Sequence, residues 1–542
     1  MRRHILSALL VSLFAAATVA QPFDSGSDGS DGALSINTST VIDLSLADGT
    51  PGNGTFDPAL NAVVFNFTTI SIAGSTSVTF VNHPSGAPVV WLASGDVTIA
   101  AGVFIALDGG PGQSAGSALR VAASAGPGGF PGGFGGAILA TRFPSGGYGP
   151  GGPSIDPSGG GKAGSGGSYA TIGTLGTTSI NVDLGPTYGN IFLLPLIGGS
   201  GGAGGWGTAS TFGGGGGGGG GAILIASSGT ITMNGSIRSL GGAAGSGAFF
   251  ADGGSGAGGG LRLVANTIVG TGSLQATGST VEANGGDGRI RVEANTISLS
   301  NPGIPPFTSG TPGLVFPPLN APTLKATMVG AQVVPADPTA DVETVDVTVN
   351  DSNPLTVQIE ATNIPVGTTV DVRVVAKQTA NSFIVTSTPL AGTMAMSTAT
   401  ADVTFPPGLS DVQLSATFMP AAALAAPKVP GEKGRKLAKG ASEVQSKTGK
   451  KPTAVASNST SKRKATSKQA VAAKRTGNAL PRYRRVNAIV GVEMGPGPEQ
   501  MTYTTATGRR VTYPADLLAN ASQMLRTMRG GRMAKPAGRA GR

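Results

Sequence analysis

Short runs of alternating apolar and polar residues recur through the first half of the chain, and their copies align. Val90-Trp91-Leu92-Ala93, followed by Val97-Thr98-Ile99 and Val103-Phe104-Ile105, compares with Ile223-Leu224-Ile225-Ala226, Ile231-Thr232-Met233 and Ile237. The pattern returns as Leu261-Arg262-Leu263-Val264-Ala265 with Ile268 and Leu274, and again as Ile290-Arg291-Val292-Glu293-Ala294 with Ile297 and Leu299. A period of two in such short runs, with Gly, Asn and Ser between them, predicts strands and no helix. Strands this short cannot bury a face alone, but stacked coil on coil they share one core. The expectation for residues 21–313 is therefore a right-handed parallel β-helix-like solenoid, with the strands at Ile223, Leu261 and Ile290 parallel in one sheet.

Two other textures flank this region. Over residues 322–420, the runs 341–349, 355–364, 368–377, 382–389, 400–405 and 411–418 alternate apolar and polar residues and are rich in Val and Thr. That pattern predicts an immunoglobulin- or fibronectin-like β-sandwich, so the chain as a whole reads as all-β. At the other end, Arg2, Arg3 and His4 precede an apolar stretch that closes on Thr18-Val19-Ala20. This is the pattern of an export signal over residues 1–20, cleaved to leave a chain starting at Gln21 that is secreted, extracellular or on the cell surface. No later apolar run is long enough to span a bilayer, so no transmembrane span is expected in the mature chain.

Composition sharpens these boundaries. Of 90 glycines in 542 residues, 73 fall between positions 21 and 313 or just before, 4 between 314 and 420, and 13 after 420. The glycine-rich stretches follow corresponding strands, which predicts loops projecting from one side of the solenoid. Positions 213–221 are nine consecutive glycines, with so much conformational entropy to lose that a mobile loop is the expectation there, a tightly packed polyglycine layer being the alternative. Collagen is excluded, because Gly128-Gly129-Phe130-Pro131-Gly132-Gly133-Phe134 does not keep Gly at every third place.

Charge divides at the same point. Twenty-five of the 37 Lys and Arg lie after position 420 against 5 Asp and Glu, so the tail carries +20 and the rest −11 of the net +9. Residues 421–480 read as a disordered basic linker, and 481–542 as a basic C-terminal segment with a small hairpin (486–492 with 501–513) and a helix at 514–528. Lys450-Lys451, Lys462-Arg463-Lys464 and Arg482-Tyr483-Arg484-Arg485 would hold polyanions by counterion release without reading sequence. Export directs that property to anionic envelope polysaccharide or other extracellular polyanions, with no specific nucleic acid recognition.

Candidate chemistry is sparse. Cys is absent and His occurs only at positions 4 and 83, which removes disulfides, Cys-ligated metals and most His-based catalysis. The Gly-rich loops precede no amphipathic helix, Gly161-Lys162 is followed by Ala163 where a phosphate loop needs Ser or Thr, and the calcium nonapeptide lacks its Asp in Gly285-Gly286-Asp287-Gly288-Arg289-Ile290. No cofactor, metal or catalytic residue is assigned. The acids and bases that a polysaccharide lyase or hydrolase on such a solenoid could use are Asp96, Asp108, Asp252 and Asp287, with Arg238, Arg262, Arg289 and Arg291. They are scattered; Asp287 with Arg289 and Arg291 is the densest group, and alternation sets both arginines on one face, expected to be a solvated sheet surface. Asn266-Thr267-Ile268 and Asn295-Thr296-Ile297 recur one repeat apart, as expected of a ladder that joins coils through Asn side chains.

Ala93-Ser94-Gly95-Asp96-Val97-Thr98-Ile99, the Gly-Gly-Ala-Ile-Leu-Ile entry at 220–225 and Gly288-Arg289-Ile290-Arg291-Val292-Glu293-Ala294-Asn295 carry a resemblance to glycine-rich secreted bacterial proteins of adhesin-passenger type. The likeness covers about residues 35–300. It implies a β-helix-like solenoid and assigns no functional residue. The basic tail departs from autotransporter adhesins, which end in a membrane barrel of alternating strands. The resulting expectation is a noncatalytic structural or adhesive protein of the cell surface, with an extracellular carbohydrate-active β-helix enzyme as the alternative.

Overall fold

The computed structural model describes residues 22–116, 121–137, 143–156, 158–208, 211–317, 321–336, 338, 345–351, 353–377 and 382–418, and the strands at 483–494, 501–504 and 510–513. The expected export signal, the basic linker and the helix at 514–528 lie outside the described residues. Among the described residues every regular element is a strand, apart from one 3-10 turn at Leu44–Leu46.

The aligned runs form one long parallel sheet. Its successive members are Gly32–Ile36, Ala62–Ile72, Val89–Ala93, Ala222–Met233, Gly260–Gly270, Arg289–Leu299 and Thr308–Gly310. Ile223 pairs with Leu261, Leu261 with Ile290, and Ile225 with Leu263 and then Val292, so residues of one type stack in columns. The columns continue upstream through Val89 and Val63, and through Trp91 and Phe65, reaching one rung before the first repeat legible in the sequence. A second parallel sheet receives the chain after each turn: Thr40–Asp43, Ser77–Val81, Phe104–Ala106, Ser236–Arg238 and Ser273–Gln275, with Val78, Ile105, Ile237 and Leu274 in register. Between the sheets the inward residues form one continuous core from Ile36 to Ala294, with Trp91 fully buried at its widest part. Alternation on strands thus converts directly into an apolar interior one side chain deep per rung.

The nine-glycine run is not a loop. The N–H groups of Gly214, Gly217 and Gly220 donate to Ala251, Gly254 and Ala257; those of Gly215, Gly218 and Gly221 donate to Gln113, Gly110 and Leu107; those of Gly213, Gly216 and Gly219 donate to Gly136, Gly133 and Phe130, all at 2.6–2.9 Å. The carbonyls of 214, 217 and 220 in turn accept from Gly205, Gly202 and Gly199, and those of 215 and 218 from Gly245 and Gly242. A donor direction that repeats every third residue is the signature of a three-residue-per-turn extended helix of polyproline II type, bonded outward because it has no internal hydrogen bonds. Each glycine stretch therefore returns the chain to the next rung as one rod in a layer of such rods. The residue type follows from the spacing: a Cβ on Gly214, Gly216, Gly217 or Gly219 would overlap the carbonyl oxygens of Gly245, Gly202, Gly242 and Gly199. The entropic cost that argued for a loop is offset because nearly every backbone polar group of the run finds a partner.

The region after residue 320 is built from antiparallel pairs. One sheet runs Gln332–Val333, Thr323–Val329, Leu355–Thr362, Ser397–Val403, Ala391–Gly392; the other runs Val347–Val349, Tyr483–Met494, Gly408–Phe418, Val370–Ala376, Phe383–Thr386. The inward positions of Leu355–Thr362 and Ser397–Val403 are buried in strict alternation. The C-terminal segment departs from the expected hairpin: Tyr483–Met494 joins the second sheet, parallel to Val347–Val349, and Met501–Thr504 pairs instead with Arg510–Tyr513.

Candidate functional site

The candidate acids and bases are placed apart, each used locally. Asp96 Oδ1 accepts the Thr230 N–H at 2.7 Å where the long sheet bulges between Ser227 and Thr230. Asp108 pairs with Arg238 at 2.8 Å and accepts from Leu240; burial pushes its carboxyl above the ordinary range, against the pull of those partners. Asp252 closes the turn at 247–252 by accepting the Gly247 N–H. Asp287 is held through its backbone, to the Thr171 hydroxyl and to Ala170. Arg289 donates to the Tyr188 carbonyl and lies over the Tyr169 ring, 5.5 Å from its centroid.

The face of Arg289 and Arg291, expected to be solvated, is half-buried at Arg289 and buried at Arg291. Arg262 and Arg291 are 1% and 7% exposed and share Glu293, itself 2% exposed, at 3.0 and 2.8 Å. Alternation does set Arg291 and Glu293 on the same outward face of the sheet, and Arg262 is beside Arg291 in register. What the pattern lacks is the cover. Strand 308–310 lies beside Arg291 in the sheet and residues 313–316 cover the face; the guanidinium groups donate to the carbonyls of Ser309, Leu314 and Val315 while the Gly313 N–H donates to Glu293. Glu293 is the key residue that the search for acids passed over; its spacing of two from Arg291 was the available signal.

The Asn ladder has the structural role expected. Asn295 donates to Asn266 Oδ1 at 3.3 Å, and Asn266 exchanges hydrogen bonds with the Phe23 backbone, holding the N-terminal segment across the sheet.

A cavity of about 450 Å³ opens beside His83. Its lining includes Asn61, Asn82, Phe130 and several prolines, Pro84, Pro131 and Pro195 among them, and, among the described residues, no Asp, Glu, Lys or Arg. The His83 ring stacks on Phe56 with centroids 4.2 Å apart, and its Nδ1 shares a hydrogen bond with the Ser85 hydroxyl at 2.8 Å. Burial lowers its proton affinity, so the ring is neutral at physiological pH. Among the described residues no group of three or more His, Cys, Asp or Glu could hold a metal ion.

A second buried polar cluster lies on the outer face of the strands Val370–Ala376 and Gly408–Phe418. Lys377 and Asp411 are 0% exposed, with Nζ 2.8 Å from Oδ2. Arg373 reaches Gln413, Ser382 and Asp183, and Gln413 reaches the Gly149 carbonyl, so this face is sealed by the glycine-rich segment 146–149. No protein-family model, curated protein or solved structure matches the chain.

Proposed function

We propose that the chain is a secreted or cell-surface structural and adhesive protein without catalytic function, related in kind to glycine-rich passenger-type proteins. In this reading residues 21–313 are a right-handed β-helix-like solenoid, residues 322–420 an immunoglobulin-like sandwich, and the basic tail holds anionic envelope polysaccharide or another extracellular polyanion. The observation that carries the proposal is the glycine layer: nine residues with no side chains at all are bonded to neighbouring rods on several sides. Such a layer supplies stiffness and no reactive group. Consistently, Arg262, Arg291 and Glu293 pin one segment to the sheet, and Asp108 is tied to Arg238.

The cavity beside His83 favours a second reading, a carbohydrate-handling protein. Among the described residues its lining holds no carboxylate to act as acid or nucleophile, which favours holding an uncharged group over cleaving one. Incubating the mature chain with pectin, alginate and neutral polysaccharides, alongside a retention assay on envelope fractions, separates the two. Retention without release of reducing ends or unsaturated products is expected. Turnover that is lost in Asp287→Ala would replace the scaffold reading with the enzyme.

A further inference from the structure

We infer that Lys377 and Asp411 condense into an intramolecular amide, a covalent cross-link between neighbouring strands that forms without an added enzyme. The geometry comes first. Val375 pairs with Asp411 and the Lys377 N–H donates to the Leu409 carbonyl, so the two side chains are diagonal neighbours on one face of an antiparallel pair. Nζ stands 2.8 Å from Asp411 Oδ2, and both residues are essentially inaccessible to water. Neither Asp411 oxygen receives a well-directed hydrogen bond from any described residue. The amine itself is aimed by the Gly147 carbonyl, to which it donates, and by the Tyr148 ring, whose centroid is 5.1 Å away.

As an ion pair this arrangement is poor. Two charges have been taken from water, and the acid lacks the additional donors that would compensate it. Burial pushes the Asp411 carboxyl up and the Lys377 amine down, toward the neutral acid and the free amine that condensation requires. Arg373 and Lys377 oppose the rise at Asp411, and the nearby carboxylate of Asp346 reinforces it.

The step balances without a co-reactant. The Nζ lone pair attacks Cγ of Asp411; the Cγ–O bond to the hydroxyl breaks; that hydroxyl leaves with one amine proton as water; the other amine proton stays on the new amide nitrogen. The product N–H retains the Gly147 carbonyl as its acceptor, and a buried neutral amide needs far less compensation than two buried ions. Exclusion of water from the site also protects the product from hydrolysis.

Trypsin provides the test on the full chain. It cuts after Arg373 and Lys428, and after Lys377 only if that amine is free; no other Lys or Arg lies between. The expected result is a 374–428 fragment lighter by one water, with fragmentation placing the bond between Lys377 and Asp411. Lys377→Arg should restore cleavage at 377 and the unreduced mass. A wild-type digest that yields only free 374–377 and 378–428 overturns the cross-link, whether or not the variant folds. The scaffold proposal does not depend on either outcome.

Discussion

At the scale of single residues, glycine is the most constrained side chain in this protein. Gly219→Ala would drive a methyl group into the Gly199 carbonyl, and the rods on either side of it are themselves bonded, so the strain has nowhere to go. A loss of about 1–3 kcal/mol or more is expected in chemical denaturation. Gly52, exposed and with open space around it, meets no such overlap, and a side chain there is opposed only by its φ of +93°. The Arg262–Glu293–Arg291 cluster makes a second residue-level prediction. Glu293→Ala leaves two guanidinium groups buried against one another's charge, with an expected cost of about 3–5 kcal/mol. Asp156 makes a third. Burial opposes its ionisation, but hydrogen bonds from Ser158 and from the Ile180 and Asn181 N–H groups outweigh it and hold the carboxyl down at about 2 against an ordinary 3.8. A depressed folded value stabilises above the unfolded one and is lost as pH falls through the folded one. Asp156→Asn should thus cost about 2 kcal/mol at neutral pH and almost nothing near pH 2, measured by denaturation at both pH values.

At the scale of elements, the parallel rungs follow from columns that the sequence displays. Ile223, Leu261 and Ile290 are related by their neighbours' alternation, and their pairing is what that alternation predicts. Ile225→Ala would open a void between Trp91 and Leu263 and is expected to cost about 2–5 kcal/mol, read as a lower denaturation midpoint with an unchanged slope. The glycine rods were not legible in the same way. A residue without a side chain carries no polar or apolar alternation, and its three-residue period resides in the directions of N–H groups, which the sequence does not write. Burial of the arginine face was illegible for a different reason. The residues that enclose it, 308–310 in the sheet and 313–316 over the face, are joined by carbonyl contacts, to which any residue type can contribute. Lys377 and Asp411 were likewise out of reach, because their meeting depends on the register of two strands separated by an intervening excursion.

At the scale of the whole molecule, the charge partition and the glycine layer divide the work. The tail carries +20 and the remainder −11, so in the proposed reading attachment to an anionic surface belongs to the tail. Removing residues 421–542 should abolish retention on envelope fractions at low ionic strength, and retention of the full chain should fall steeply as salt rises. Equal retention of the truncated chain, with the same salt dependence, would reduce the tail to a spacer. In the same reading the body's part is to be stiff, and that stiffness rests on the rods being bonded to neighbours on several sides. Amide hydrogen exchange over residues 213–221, followed by mass spectrometry in native buffer, measures this directly. Protection comparable to that of the Ala222–Met233 strand is the predicted result. Exchange of the nine glycines at the rate of an unstructured chain would contradict the account.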